Sequence, residues 1–137
     1  MAALSILFGV LAYERYAGSE AWVAQGIQEI EAKGASLDVQ GCIDAAIEWH
    51  EGCEEHDANQ AVCNHAVKIE MFHCLQAADR KAECEADWSN PPEKGSWVYP
   101  ACEERGNRCI NKRECACAEA YRAVDSFCKT DGKAVQL

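Results

Sequence analysis

Residues 42–74 read CIDAAIEWHEGCEEHDANQAVCNHAVKIEMFHC, and the four cysteines in this stretch decide the fold. Cys42 and Cys53 are separated by eleven positions, as are Cys63 and Cys74. Eleven helical steps return a side chain to within about 20° of its starting face, so each pair points from one side of a helix. Ala46 and Trp49 fill the stripe between Cys42 and Cys53, and Val67 shares the face of Cys63 and Cys74. Glu54, Glu55, His56 and Asp57 interrupt the apolar pattern between the two stretches. If the chain turns there, two antiparallel helices bring Cys53 against Cys63 near the bend and Cys42 against Cys74 at the open end. Each rung restricts the unfolded chain and is expected to contribute on the order of 2 to 4 kcal/mol.

The helices around this hairpin follow from their start and stop signals. Ser36 or Asp38 caps the first hairpin helix, and Asp57 followed by Gln60 resembles a capping pair for the second, which is expected to run to about Asp87. Val62, Ile69 and Phe72 widen its apolar side. Upstream, no proline occurs from Ala2 to Lys33, and Leu7, Leu11, Trp22, Val23, Ile27 and Ile30 recur near helical spacing until Gly34, which predicts one long first helix. Downstream, Ser89 to Gly95 contains Pro91 and Pro92 and reads as a loop. Trp97, Tyr99, Cys102 and Cys109 follow in a stretch expected to be mostly irregular. Asn111 with Glu114 signals a last helix, whose stripe of Cys117, Tyr121, Val124 and Cys128 ends near Lys129 and Gly132. No strand pattern is convincing. The expected fold is therefore all-α, in three parts: an apolar helix over 1–34, a stapled hairpin over 35–88, and a proline-containing loop with a cysteine-rich helical segment over 89–137.

Ten cysteines among 137 residues far exceed ordinary usage, and their even number favours five disulfides in an oxidising compartment. Cys84, Cys102, Cys109, Cys115, Cys117 and Cys128 remain after the two rungs, and spacing does not choose among their fifteen pairings. Cys84, ten residues beyond Cys74, is rotated off that stripe and is expected to face the C-terminal segment. A net charge of −10, scattered along the chain, argues against nucleic acid and anionic surfaces but suits a basic protein partner. The apolar share of 49% is too high for an acidic disordered chain.

The cysteine pattern resembles a known family. Cys53 to Cys63 and Cys74 to Cys84 each enclose nine residues, as in the twin CX9C pattern of coiled-coil-helix-coiled-coil-helix proteins, while Cys42 to Cys53 with Cys63 to Cys74 forms a twin CX10C variant. The CX10C register is preferred because the other one would place its turn in Asn64–His73, which has strong helical patterning and neither glycine nor proline. The resemblance covers about a third of the chain. It implies a disulfide-linked helical hairpin, oxidative trapping in the mitochondrial intermembrane space, and service as an accessory subunit or assembly factor of a respiratory complex. The N-terminal apolar helix and the C-terminal cysteines are additions to the minimal pattern.

From Ala2 to Ala12 the first helix is uncharged, and Tyr13, Glu14, Arg15 and Tyr16 follow. The run is shorter than the roughly 20 residues that a hydrocarbon core requires, and it lacks the basic flank of a secretory signal. It is expected to dip into one leaflet or to pack against another subunit, with Leu4, Leu7, Leu11, Tyr13, Tyr16 and Trp22 as docking residues. An uncleaved signal segment is the plainer alternative.

Reactive chemistry has weaker support. Cys53, His56, Cys63 and His65 match no zinc spacing, and the same cysteines are better used in a bridge. The Cys115-x-Cys117 pair suits copper(I) or thiol exchange, but separate structural bridges are the simpler expectation. His56 and Asp57, following Cys53, resemble the Cys-x-x-His-Asp order of secreted phospholipases A2, yet no glycine-rich calcium loop precedes Cys42. His50 and His73 lie on the hairpin helices with nothing converging on them. The resulting expectation is a non-enzymatic subunit without cofactor or metal, docked on the intermembrane-space side of a mitochondrial inner-membrane complex. Other subunits of that complex, the membrane and a basic electron carrier are its expected partners. Two alternatives remain: a small redox or copper-transfer protein using Cys115 and Cys117, and a periplasmic or thylakoid-lumen subunit.

Overall fold

A computed structural model describes residues 2–56, 58–92 and 95–132. Among these residues the secondary structure is entirely helical: α1 (Ala2–Gly34), α2 (Val39–Glu55), α3 (Gln60–Gln76), α4 (Lys81–Asp87), α5 (Val98–Glu104) and α6 (Ala116–Lys129), with one 3₁₀ turn over Gly95–Trp97. The core lies where α3 packs against α1, α2 and α6. Ile43, Val67, Met71, Leu75, Val98 and Val124 are fully buried in it. Trp88, Trp97 and Tyr121 pack their rings at centroid distances of 5.7 to 5.8 Å and close the C-terminal side.

The C-terminal half of α1 lies on the hairpin through a narrow stripe. Ser19, Gly26 and Ile30 are buried along it, with Trp22, Val23 and Ile27 half-buried beside them. Small residues permit the close approach: a Cβ on Gly26 would lie 2.1 Å from Trp49 Nε1 and 2.6 Å from Glu70 Oε1. Ser19 Oγ adds a polar tie, donating to Arg15 O at 2.7 Å and accepting from Asn59 N at 2.7 Å.

Local signals account for the starts of α2 and α3. Asp38 caps α2, its Oδ1 accepting from Gly41 N at 2.6 Å. The cap of α3 is Asn59, whose Oδ1 accepts from Ala61 N at 2.9 Å and Val62 N at 3.4 Å. Asp57, expected to cap this helix, lies outside the described residues. Asn64–His73 is helical throughout, so the bend falls between Cys53 and Cys63 and the nine-residue register is not the one adopted.

Three expectations need correction. The second hairpin helix stops at Gln76 and does not reach Asp87, because the chain turns so that Arg80 enters the core, and Asp79 Oδ1 starts α4 by accepting from Lys81 N at 2.9 Å. The stretch expected to be irregular is helical over 95–104; Pro100 is the third residue of α5, within the first turn, where a missing N–H costs no intrahelical bond. The last helix begins at Ala116 instead of near Asn111. Asn111 forms a separate turn, with its Oδ1 accepting from Arg113 N at 3.1 Å and its backbone carbonyl from Glu114 N at 3.1 Å.

Candidate functional site

Five disulfides fix the helices to one another. Cys42–Cys74 and Cys53–Cys63 join α2 to α3 at the two ends of the hairpin, and all four residues are fully buried. Cys84–Cys128 ties α4 to the end of α6. Cys102–Cys117 ties α5 to the first turn of α6, and Cys109–Cys115 closes the short loop before α6. Cys115 and Cys117 therefore belong to different bridges, although one residue separates them. The break after α3 reorients Cys84 relative to a continuous helix and brings it to Cys128.

A buried arginine, which sequence patterning leaves unremarked, gathers the loose ends of three helices. Arg80 Nη2 donates to Gly34 O at 2.7 Å and Cys74 O at 3.4 Å, Nη1 to Leu37 O at 2.6 Å, and Nε to Leu75 O at 3.4 Å. These carbonyls lie at the C-terminal ends of α1 and α3, where a cation also complements the helix dipoles, and just before α2. Glu83 holds Arg80 Nη1 at 3.1 Å and accepts from Val39 N, the first residue of α2, at 2.7 Å. In the sequence this site shows only as an Arg-x-x-Glu spacing at Arg80 and Glu83, which is common on any helix surface.

Glu70 is the second unforeseen feature. It is fully buried on α3 near Trp49 and Gly26, and neither carboxyl oxygen has a hydrogen-bond partner. Burial, reinforced by Glu29 and Glu31 on α1, pushes its pKa up to about 8. Trp49 Nε1 and Trp22 Nε1 also lack partners.

The expected docking residues divide into two groups. Leu4, Leu7, Leu11, Tyr13 and Tyr16 are all more than half exposed, together with Phe8 and Ile6. They surround the N-terminal part of α1 and do not form one stripe. Trp22 instead faces inward: its ring stacks on His56 at 3.7 Å between centroids and lies 6.3 Å from Trp49. No helix among the described residues is long and apolar enough to cross a membrane.

The histidines have local partners. His56 Nδ1 is 2.9 Å from Gly52 O, His50 Nε2 is 2.5 Å from Asn64 Oδ1, and His73 Nδ1 is 2.6 Å from Glu31 Oε1. His56 and exposed His65 flank a Cys53–Cys63 pair already joined to each other. One sulfur-rich cluster does form: the Sγ atoms of Cys102, Cys109 and Cys115 all lie within 4.8 Å of one another.

No protein-family model, curated protein or solved structure matches the chain.

Proposed function

We propose that this chain is a non-catalytic docking subunit, in which a disulfide-braced helical body presents an apolar helix end to the membrane region of a larger complex. The observation that carries this reading is the exposure of Leu4, Ile6, Leu7, Phe8, Val10 and Leu11 around α1, while α1 from Ser19 onward is seated on the hairpin. In water each exposed side chain of this size costs about 1.5 to 3 kcal/mol relative to full burial, so a covering medium or partner is favoured. A groove on a protein would cover one stripe; lipid covers every side. Tyr13 and Tyr16, with Glu14 and Arg15 between them, follow the apolar tip as amphipathic residues do at a headgroup boundary.

The finer assignment is to the intermembrane-space side of a mitochondrial inner-membrane complex, as a respiratory accessory subunit related to the coiled-coil-helix-coiled-coil-helix proteins. Its support is the inner and outer pairing of Cys53–Cys63 and Cys42–Cys74 across one helical hairpin. The rigid body reduces the ordering entropy lost on association. A basic electron carrier would be attracted by the net charge of −10, chiefly through a faster encounter at low salt.

Leu7→Glu with Leu11→Glu tests the docking role. The doubly substituted chain is expected to leave the membrane fraction and appear in the soluble one, with its non-reducing bridge map unchanged. Undiminished membrane association of that correctly bridged variant would overturn the reading.

A further inference from the structure

We propose that, before its thiols are oxidised, the C-terminal lobe binds one zinc ion through Cys102, Cys109, Cys115 and Cys117. The sulfurs of Cys102, Cys109 and Cys115 already gather within 4.8 Å, and Cys117 is the bonded partner of Cys102. A tetrahedral zinc–thiolate centre has Zn–S bonds near 2.3 Å and therefore sulfurs about 3.8 Å apart. Opening the two bridges and separating their sulfurs to that distance is a small rearrangement within the cluster. Cys42–Cys74, Cys53–Cys63 and Cys84–Cys128 differ in this respect: among the described residues, no comparable group of three ligands includes them.

The surroundings suit thiolates. Cys115 is the N-cap residue of α6 in an extended conformation, no side chain caps that helix, and Cys117 is in its first turn. The N–H groups and the positive end of this 14-residue helix therefore face the sulfur-bearing segment. Residues 105–113 contain Arg105, Arg108, Lys112 and Arg113 and no acidic residue, a basic island in a chain of net charge −10. Four thiolates on a divalent cation leave a net charge of −2, which the sequence-adjacent Arg108, Lys112 and Arg113 would partly offset, Arg105 being paired with Asp44. Cys102 is fully buried on α5, while Cys109 and Cys115 are half-buried in the loop through which an ion would enter.

No reductant is required, because a newly made chain carries thiols. Four thiols and one Zn²⁺ give the tetrathiolate complex and four protons. Later oxidation by a disulfide-bearing oxidant balances as two oxidant disulfides reduced to four thiolates, two protein disulfides formed and Zn²⁺ released. Each pair of protein thiolates thereby loses two electrons to the oxidant as its bridge forms. The metal would thus hold α5, the loop and α6 together in the same arrangement that Cys102–Cys117 and Cys109–Cys115 later make covalent.

The test uses the full chain, fully reduced under anaerobic conditions, with Co²⁺ as a coloured substitute and Zn²⁺ as the ion itself. One equivalent of Co²⁺ is expected to give the intense sulfur-to-cobalt and tetrahedral d–d bands, lost in Cys109→Ser with Cys115→Ser and kept in Cys53→Ser with Cys63→Ser. Zn²⁺ is expected to slow alkylation of Cys102, Cys109, Cys115 and Cys117 about tenfold while leaving the other six at their metal-free rates. Equal protection of all ten thiols, protection of none, or a cobalt spectrum indifferent to Cys109→Ser with Cys115→Ser would overturn the proposal. The alkylation map gives a result whether or not the reduced chain is otherwise folded.

Discussion

Glu70 and Arg80 are both buried charged-residue types, yet their surroundings treat them oppositely. Arg80 meets backbone carbonyls from three segments, so its charge is solvated by the free C-terminal ends of α1 and α3 and by the Leu37 carbonyl before α2. Glu70 is buried beside the Trp49 indole and feels the negative charges of Glu29 and Glu31, so the proton is favoured. Its folded pKa of about 8 lies above the ordinary 4.5, and stability depends on pH in the sense opposite to a salt-bridged carboxylate. Below pH 4.5 folded and unfolded chains both hold the proton, and Glu70 carries no penalty; as pH rises from 4.5 to about 8 only the unfolded chain releases it, and stability is lost. Glu70→Gln is therefore expected to match the native chain in acid and to exceed it by on the order of a few kcal/mol above pH 8. Urea unfolding of both proteins across that range measures the difference. A difference that shrinks with rising pH would refute the assignment.

At the scale of elements, α1 and the hairpin meet through a missing side chain. Gly26→Ala places a methyl group where Trp49 Nε1 would be 2.1 Å away, and the indole or the helix must move. The expected cost is about 1 to 3 kcal/mol by denaturation, with limited proteolysis releasing α1 before the bridged hairpin is cut. If proteolysis instead opened the hairpin first, α1 would not be the element seated by this contact. The C-terminus of α5 shows a different glycine role: Gly106 has φ of +86°, with Gly106 N bonded to Glu103 O and Asn107 N to Cys102 O, closing the helix in a Schellman turn. The hairpin was legible because cysteines and large apolar residues repeated at helical spacing. The break at Ala77–Arg80 was not, because it depends on Arg80 finding the carbonyls of Leu37 and Gly34, 43 and 46 positions away, a tertiary contact with no local signature. The start of α6 is hidden for a related reason: Asn111 and Glu114 look like a cap and do form a turn, but Cys115 is held to Cys109 and sets the helix start.

For the molecule as a whole, the bridges differ in how much chain each closes. Cys84–Cys128 spans 44 positions and Cys42–Cys74 spans 32, whereas Cys109–Cys115 spans six. Loop-closure entropy then predicts a loss of about 4 kcal/mol on removing Cys84–Cys128 by paired alanine substitution, against about 2.2 kcal/mol for Cys109–Cys115. Calorimetry on the two double variants checks that order, and a reversed order would show that local geometry outweighs chain length. Pairing among the last six cysteines was beyond sequence reasoning because α4, α5 and α6 converge through the Trp88, Trp97 and Tyr121 cluster, whose members are spread over 34 positions. Likewise Trp22 carried the same apolar signal as Leu7 and Leu11, and only its stacking on His56 distinguishes an internal contact from an outward one.

The length of α1 also fixes a spacing. With Leu4 to Ala12 immersed, Tyr13 to Gly18 form a stem of about 9 Å before Ser19 meets the hairpin, at 1.5 Å per residue. That is close to the roughly 8 Å over which salt attenuates a field at physiological strength. An acidic body could thus stand beside an anionic bilayer with much of the mutual repulsion screened, and shortening the stem would make attachment more sensitive to salt.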